Sequence, residues 1–332
     1  MMMMIAANIP WIKLNNKHFR SFLLKYCVGH DIPEESLLRK TFLDKVFENQ
    51  VVQIRQELLE GFFWVSMNVT IDFLGRKIVH LLVTNLKPNK PSSCYLIASK
   101  VTSEIANGTT IFNFFDETLR WLWLNKAEQN FKNIIMFTSD AVSYMLNAGR
   151  KIKAKCPQTL HVTCIVHGIH RIAEEVRNQF KDVDNFVDNV KKIFLKAPSR
   201  VKTFKEMFPD LPLPPKPIIT RWGTWIKAVC YFQHHYNEVR TVLELFDPRS
   251  SAAIRNCREL MDKPELIADL NFVANNFGMI PEIIQMLESS KVSVQFALEK
   301  LNELKTKIDA VPRDVGIRLQ EKMAAVLQKI LI

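Results

Sequence analysis

Glycine is scarce in this sequence, 9 residues in 332, and no Ser- or Gln-rich tract interrupts it, so nothing reads as a long disordered arm. The six cysteines (Cys27, Cys94, Cys156, Cys164, Cys230 and Cys257) form no CxxC pair and no tight framework. That pattern argues for free thiols in a reducing compartment. No apolar run reaches the roughly 18–20 residues that a membrane helix needs, so no membrane partner is expected. The opening Met1-Met2-Met3-Met4-Ile5-Ala6-Ala7 is soon interrupted by Asn8 and Pro10, and it lacks the basic and long apolar regions of a secretory signal. Cytosol or nucleus is the expected location.

What is present has the balance of a globular protein: 48% hydrophobic and 24% charged residues, in a chain long enough for one large domain or two ordinary ones. The formal charge is +11, with an isoelectric point near 9.3, which favours acidic partners and tilts the location toward the nucleus. The surplus is uneven. Between Arg150 and Lys227 stand 16 Lys or Arg against 7 Asp or Glu, nine of the eleven net positive charges. A phosphate backbone would find its counter-charge there, and a solvated basic face is the alternative.

Hydrophobic spacing organises the chain. Phe19, Phe22, Leu23 and Tyr26 fall on one helical stripe within residues 15–26, and Pro33-Glu34-Glu35-Ser36 reads as the start of a helix running to about Glu60. Phe62 to Thr70 and Lys77 to Leu86 are rich in β-formers and flank Asp72-Phe73-Leu74-Gly75-Arg76, which predicts a hairpin; Cys94 to Val101 predicts a third strand. The spacing then predicts a helix over 111–130, a buried strand over 133–138, a helix over 141–155, a strand over 160–166 and a helix from about His170 to Phe180. This is the order of an RNase H-like core, an α/β fold with a mixed sheet flanked by helices. Five prolines between Pro209 and Pro217 predict an extended spacer, after which Thr224 to Ile332 reads as helical. Val294, Leu298, Leu301 and Ile308 mark one face there, taken as core-facing rather than an intermolecular seam. The expected segments are thus a helical N-terminal segment (1–60), the core (61–208), spacer and Arg-Trp motif (209–223) and a helical, insertion-like region (224–332).

Enzymes of the RNase H type hold two divalent ions between carboxylates, one on the first strand and one just beyond the fourth. Asp140 follows Ile134-Ile135-Met136-Phe137-Thr138-Ser139 and precedes a helix, which puts its carboxylate at a strand's C-terminal end. An N-cap role is the alternative.

Several spaced motifs resemble hAT-type DNA transposases from about Ile9 to about Glu288. They are Thr138-Ser139-Asp140-Ala141 with Tyr144-Met145, then His161-Val162-Thr163-Cys164-Ile165-Val166-His167, then Lys196-Ala197-Pro198-Ser199-Arg200 and Thr220-Arg221-Trp222-Gly223-Thr224-Trp225. The last two resemble a subgroup often found with a BED-type zinc finger, whose ligand pairs are missing from residues 1–60. The resemblance implies that Asp140 is the second catalytic aspartate and that the first aligns with Asn68, in Val65-Ser66-Met67-Asn68-Val69-Thr70-Ile71-Asp72. An amide carries no charge, so two-metal binding is weakened there. Asp72, four residues on, lies roughly 13 Å along a strand, too far to substitute simply. No glutamate before Ile332 sits in a recognisable version of the family's last motif.

The resemblance further implies a structural CxxH turn at Cys164 and His167. A zinc site built from it with His161 and His170 is discounted, because no second ligand pair accompanies it. Trp222 matches a tryptophan that stacks on a base at the DNA end, with Arg221, Arg200 and Lys196 as companion DNA contacts; packing is the equal alternative for Trp222, given Trp225 on the same helical face. The expectation is a transposon-derived nuclear protein that binds DNA through mostly non-specific phosphate contacts, or associates with itself as a homo-oligomer, without cleaving. No cofactor is expected in that case. The rivals are an active nuclease using Asp140, Asp72 and Mg²⁺ or Mn²⁺, and a protein-interaction scaffold with no DNA role.

Overall fold

The computed structural model describes residues 2–27, 29, 31–88, 92–102, 107–218, 221–289 and 292–329. Thr220 of the Arg-Trp motif lies outside them. The chain is α/β: a five-stranded mixed sheet, in the order β3-β2-β1-β4-β5, with flanking helices, as in RNase H-like proteins. The strands are β1 (Phe62–Ile71), β2 (Lys77–Leu86), β3 (Cys94–Thr102), β4 (Ile134–Ser139) and β5 (Leu160–Thr163). The chain divides into two compact units, Met1–Phe137 with Asn147–Thr159, and Thr138–Leu146 with Leu160–Ile332.

In the first unit, β1 and β2 pair antiparallel with Asn68 opposite His80, and β2 pairs antiparallel with β3. Alternation explains the sheet's two faces: Phe63, Val65 and Met67 of β1 and Val79, Leu81 and Val83 of β2 are buried, and the residues between them are not. The unit's longer helices include α1 (Lys17–Tyr26), capped by Asn16; α2 (Leu43–Glu57); and α3 (Gly108–Trp123), which Asn107 and Thr110 start as a capping box. Helix α3 packs Ile111, Phe115, Leu119 and Leu122 inward. The Trp123 indole donates to the Leu58 carbonyl at 3.0 Å and meets Phe63 and Phe131 at ring separations of 5.0 and 5.9 Å.

The second unit is dominated by helices. They are α5 (Ile165–Gln179), α6 (Lys181–Phe194), α7 (Pro198–Met207), α8 (Gly223–His234), α9 (Tyr236–Leu245), α10 (Ala252–Met261), α11 (Pro264–Phe277), α12 (Ile280–Leu287), α13 (Val294–Asp309) and α14 (Arg313–Gln328). Helix α4 (Ser143–Lys155) crosses the boundary between the units. A continuous core runs through this second set, with Phe186, Phe204, Trp225, Phe232 and Phe277 almost wholly buried. Among the described residues no helix is long and apolar enough to cross a membrane.

Several sequence expectations need correction. The strand expected over 160–166 ends at Thr163, and Ile165 and Val166 open α5; their β-branched side chains mimic a strand, but the Gly168 amide already bonds to the Cys164 carbonyl at 3.2 Å. The helix expected over 111–130 breaks at Leu124, whose φ of 52° no helix interior accommodates, and resumes over Ala127–Phe131. The helix expected from Pro33 to Glu60 starts at Glu35, passes through a π-helical turn over Leu38–Phe42 and ends at Glu57. Of the stripe on α13, Leu301 and Ile308 are buried with Leu304, whereas Val294 and Leu298 are exposed, so only its C-terminal half faces a core.

Candidate functional site

Asp140 sits between β4 and α4, directly after a strand in which Ile134, Phe137 and Ser139 are buried and Ile135 is exposed. The first α-helical bond of α4 runs from the Leu146 amide to the Val142 carbonyl, so Asp140 precedes the helix and does not cap it. Its Oδ1 instead accepts from the Ala141 amide at 2.6 Å and faces the Arg171 guanidinium at 3.4 Å, with about a fifth of the side chain exposed. Arg171 is the partner that sequence reasoning missed: it lies 31 residues away, on the second turn of α5, and only its spacing of four from His167 hinted at a shared face.

Around Asp140 the second unit gathers the CxxH motif. The Cys164 amide donates to the Ser139 carbonyl at 2.8 Å, fixing the start of α5 against the end of β4. Burial opposes ionisation of the Cys164 thiol, but the imidazole of His167 and the amides of His167 and Val166 together bring it below its ordinary value. The same contact raises His167, with burial opposing and the charge of Asp140 assisting. His161 is buried next door, and burial pushes it down to about 4. The Ser139 hydroxyl donates to the Asp140 carbonyl at 3.0 Å, which leaves it to accept from His161 Nε2 at 2.9 Å. His170, also lowered by burial, accepts the Gly223 amide on Nδ1 at 3.4 Å and so ties α5 to the start of α8. His161 meets Ser139 and His170 meets the Gly223 amide, whereas Cys164 and His167 act on each other; among the described residues no group of three or more His, Cys, Asp or Glu side chains is arranged to hold a metal.

Asn68, aligned with the first aspartate position, and Asp72, four residues on, belong to the first unit. Asn68 is half-buried in the middle of β1. Asp72 heads the hairpin loop, where it accepts from the amides of Leu74 and Arg76, both at 2.9 Å, and from Arg76 Nε at 2.7 Å. The Arg76 amide, with its guanidinium and the Leu74 amide, lowers the carboxyl below its ordinary range. Gly75, at a φ of 78°, closes the loop. Asp72 is thus committed to the turn. Asn68 offers an uncharged amide, and the Asp140 carboxylate already faces a guanidinium.

The four candidate DNA contacts divide. Lys196, at a positive φ of 54°, and Arg221 are exposed. Arg200 is half-buried and spends its guanidinium on the Ile193 carbonyl at 3.1 Å and the ring of Phe246 at 6.0 Å. Trp222, half-buried at the start of α8, lies under the Arg177 guanidinium at 4.7 Å, itself held by Asp184 at 2.5 Å, whereas Trp225 is a core residue. Arg221 and Lys227 border a cavity of about 410 Å³ that His170, Glu282 and Glu288 also line.

A family model described as a domain of unknown function, DUF659, matches residues 33–193, and that family is found in transposase-related proteins. The match takes in α2 and β1 and runs into α6, including Asn68, Asp140 and the CxxH motif, and supports a transposase-like family without singling out the hAT subgroup. No curated protein matches the chain.

Proposed function

We propose that this protein derives from a hAT transposase and binds DNA in the nucleus without cutting it, through mostly non-specific phosphate contacts and with the capacity to self-associate. The observation that carries the reading is the charge at the second aspartate position. Asp140 stands where the resemblance puts a metal ligand, yet a guanidinium 3.4 Å away compensates it, and the aligned first position is the neutral Asn68. A two-metal centre needs anionic oxygen on both sides of the ions, because Mg²⁺ and Mn²⁺ are hard cations whose repulsion must be neutralised. With one side neutral and the other counter-charged, phosphodiester displacement has no anchor. What remains is the basic surface, with Arg221 and Lys196 exposed on it.

The test is a cleavage assay with Mg²⁺ and with Mn²⁺ on linear and hairpin DNA, with Asp140→Ala as control. The expected result is no cleavage above background in either protein, alongside DNA binding by both. Metal-dependent cutting that vanishes in Asp140→Ala would establish the active-nuclease alternative instead.

A further inference from the structure

Two helices of the second unit meet on small side chains. Gly223, the first residue of α8, lies against α12: a Cβ there would stand 2.7 Å from Ile284 Cδ1. Gly278, just before α12, lies against α8: a Cβ there would stand 3.3 Å from the Cys230 sulfur. Both contacts belong to the lining of the cleft of about 410 Å³. Its charges set it apart. Arg221 and Lys227 line it from the side of α8, and Glu282, Gln285 and Glu288 from the side of α12. Among the described residues none of these four charged groups has an ion-pair partner, although both signs border one concavity. His170 lines it as well. Its Nδ1 accepts the Gly223 amide, so the neutral ring carries its proton on Nε2 as a donor. Burial lowers His170, and after the charge of His167 the Glu288 carboxylate raises and the Arg221 guanidinium lowers the same ring, so both signs act at this end of the cleft.

We propose that this cleft binds a small zwitterion of amino-acid or dipeptide size, with its carboxylate on Arg221 and Lys227 and its ammonium on Glu282 and Glu288. Unpaired charges scattered on a surface signify little, because such groups are well hydrated. Here they are gathered on two walls of a concavity that is large enough for a small molecule and partly apolar, with Ile284 between the charged positions. A ligand of one sign alone would meet two groups that repel it. One carrying both signs satisfies both walls through charge-assisted hydrogen bonds, and the Gln285 amide can donate to the carboxylate or accept from the ammonium. The two carboxylates also disfavour a phosphodiester, so the cleft differs in kind from the basic surface proposed to meet DNA, and the inference stands apart from that reading.

The experiment uses the whole chain without DNA. The common amino acids and their alanyl dipeptides are screened by saturation-transfer difference NMR, and those that bind are titrated. At least one should bind with a Kd of about 1 mM or below. Its N-acetylated form, which lacks the ammonium, and its C-terminal amide, which lacks the carboxylate, should each bind at least about tenfold more weakly. In the paired variant Glu282→Gln with Glu288→Gln the zwitterion should weaken to a similar degree while the N-acetylated form does not, and Lys227→Gln should weaken the zwitterion but not its amide. All three positions are exposed, so these variants keep the fold. No binding by any member at about 10 mM would overturn the proposal. So would blocked forms that bind as tightly as the zwitterion, or affinities that neither variant changes.

Discussion

His161 has a relative exposure of 2%, and its surroundings suit only the neutral ring. Its Nε2 donates to the Ser139 hydroxyl, and burial holds it down to about 4, against an ordinary value near 6.5. The consequence for stability has a definite sign. Above pH 6.5 the ring is neutral whether the chain is folded or not, and its burial carries no protonation penalty. Between about 6.5 and 4 the unfolded chain takes up a proton that the folded one refuses, so stability is lost as the pH falls through this window. The loss from this residue amounts to about 3 kcal/mol. His170, also lowered, adds in the same sense, and His167, raised, opposes both. The clean measurement is therefore a difference: urea midpoints of the unaltered chain and of His161→Asn, taken from pH 7.5 to 4.5. The unaltered chain should fall more steeply, and parallel curves would mean that His161 is not held neutral.

At the scale of elements, α3 and α4 approach closely in the first unit. A Cβ at Gly108, the first residue of α3, would lie 2.6 Å from the Asn147 Cβ and 3.2 Å from the Ala148 amide nitrogen. Alanine favours a helix over glycine by up to about 1 kcal/mol, but here it would meet backbone that cannot step aside. Overpacking should win, and Gly108→Ala should destabilise by about 1–3 kcal/mol, seen as a lower urea midpoint. An unchanged or raised midpoint would show that the two helices part easily. This contact was invisible in the sequence, because nothing local marks residue 108 as touching residue 147. The β1–β2 hairpin was legible to within a residue, since β-formers on both sides of an Asp-Phe-Leu-Gly-Arg loop encode it locally. So was the placing of Asp140 after a strand, although β4 alternates and leaves Ile135 exposed where its apolar run reads as buried on both faces. Ile165 and Val166 misled because β-branched residues read alike in a strand and in the first turn of a helix. Lys181–Met207 drew no helix expectation, although Asp182 and Asp184 in the first turn of α6 and Pro198 at the start of α7 are helix signals. The pairing of Asp140 with Arg171 and of Trp222 with Arg177 depends on how distant turns meet, which spacing alone does not specify.

For the molecule as a whole, the informative quantity is where its +11 charge lies. Surface ion pairs neutralise part of the basic stretch: Arg177 is held by Asp184, Lys192 by Asp188 and Lys202 by Glu206. Lys196 and Arg221 remain exposed. Binding driven by phosphate contacts releases condensed counterions, so affinity must fall with salt along a straight log–log line of slope about −0.9 per phosphate neutralised. If about six basic side chains engage a duplex, the slope is about −5, and affinity drops by roughly a thousandfold between 50 and 200 mM salt. Replacing Lys196 and Arg221 by glutamine should flatten the slope by about 2 and weaken every duplex alike, since phosphate contacts position a protein without reading bases. Fluorescence anisotropy on several unrelated duplexes across that salt range measures both quantities. A flat line would favour the scaffold alternative, because burial of apolar surface against a protein partner does not release a polyanion's counterions. A steep line that the double substitution leaves unaltered would keep DNA as the partner and move its footprint to other cations of the surface.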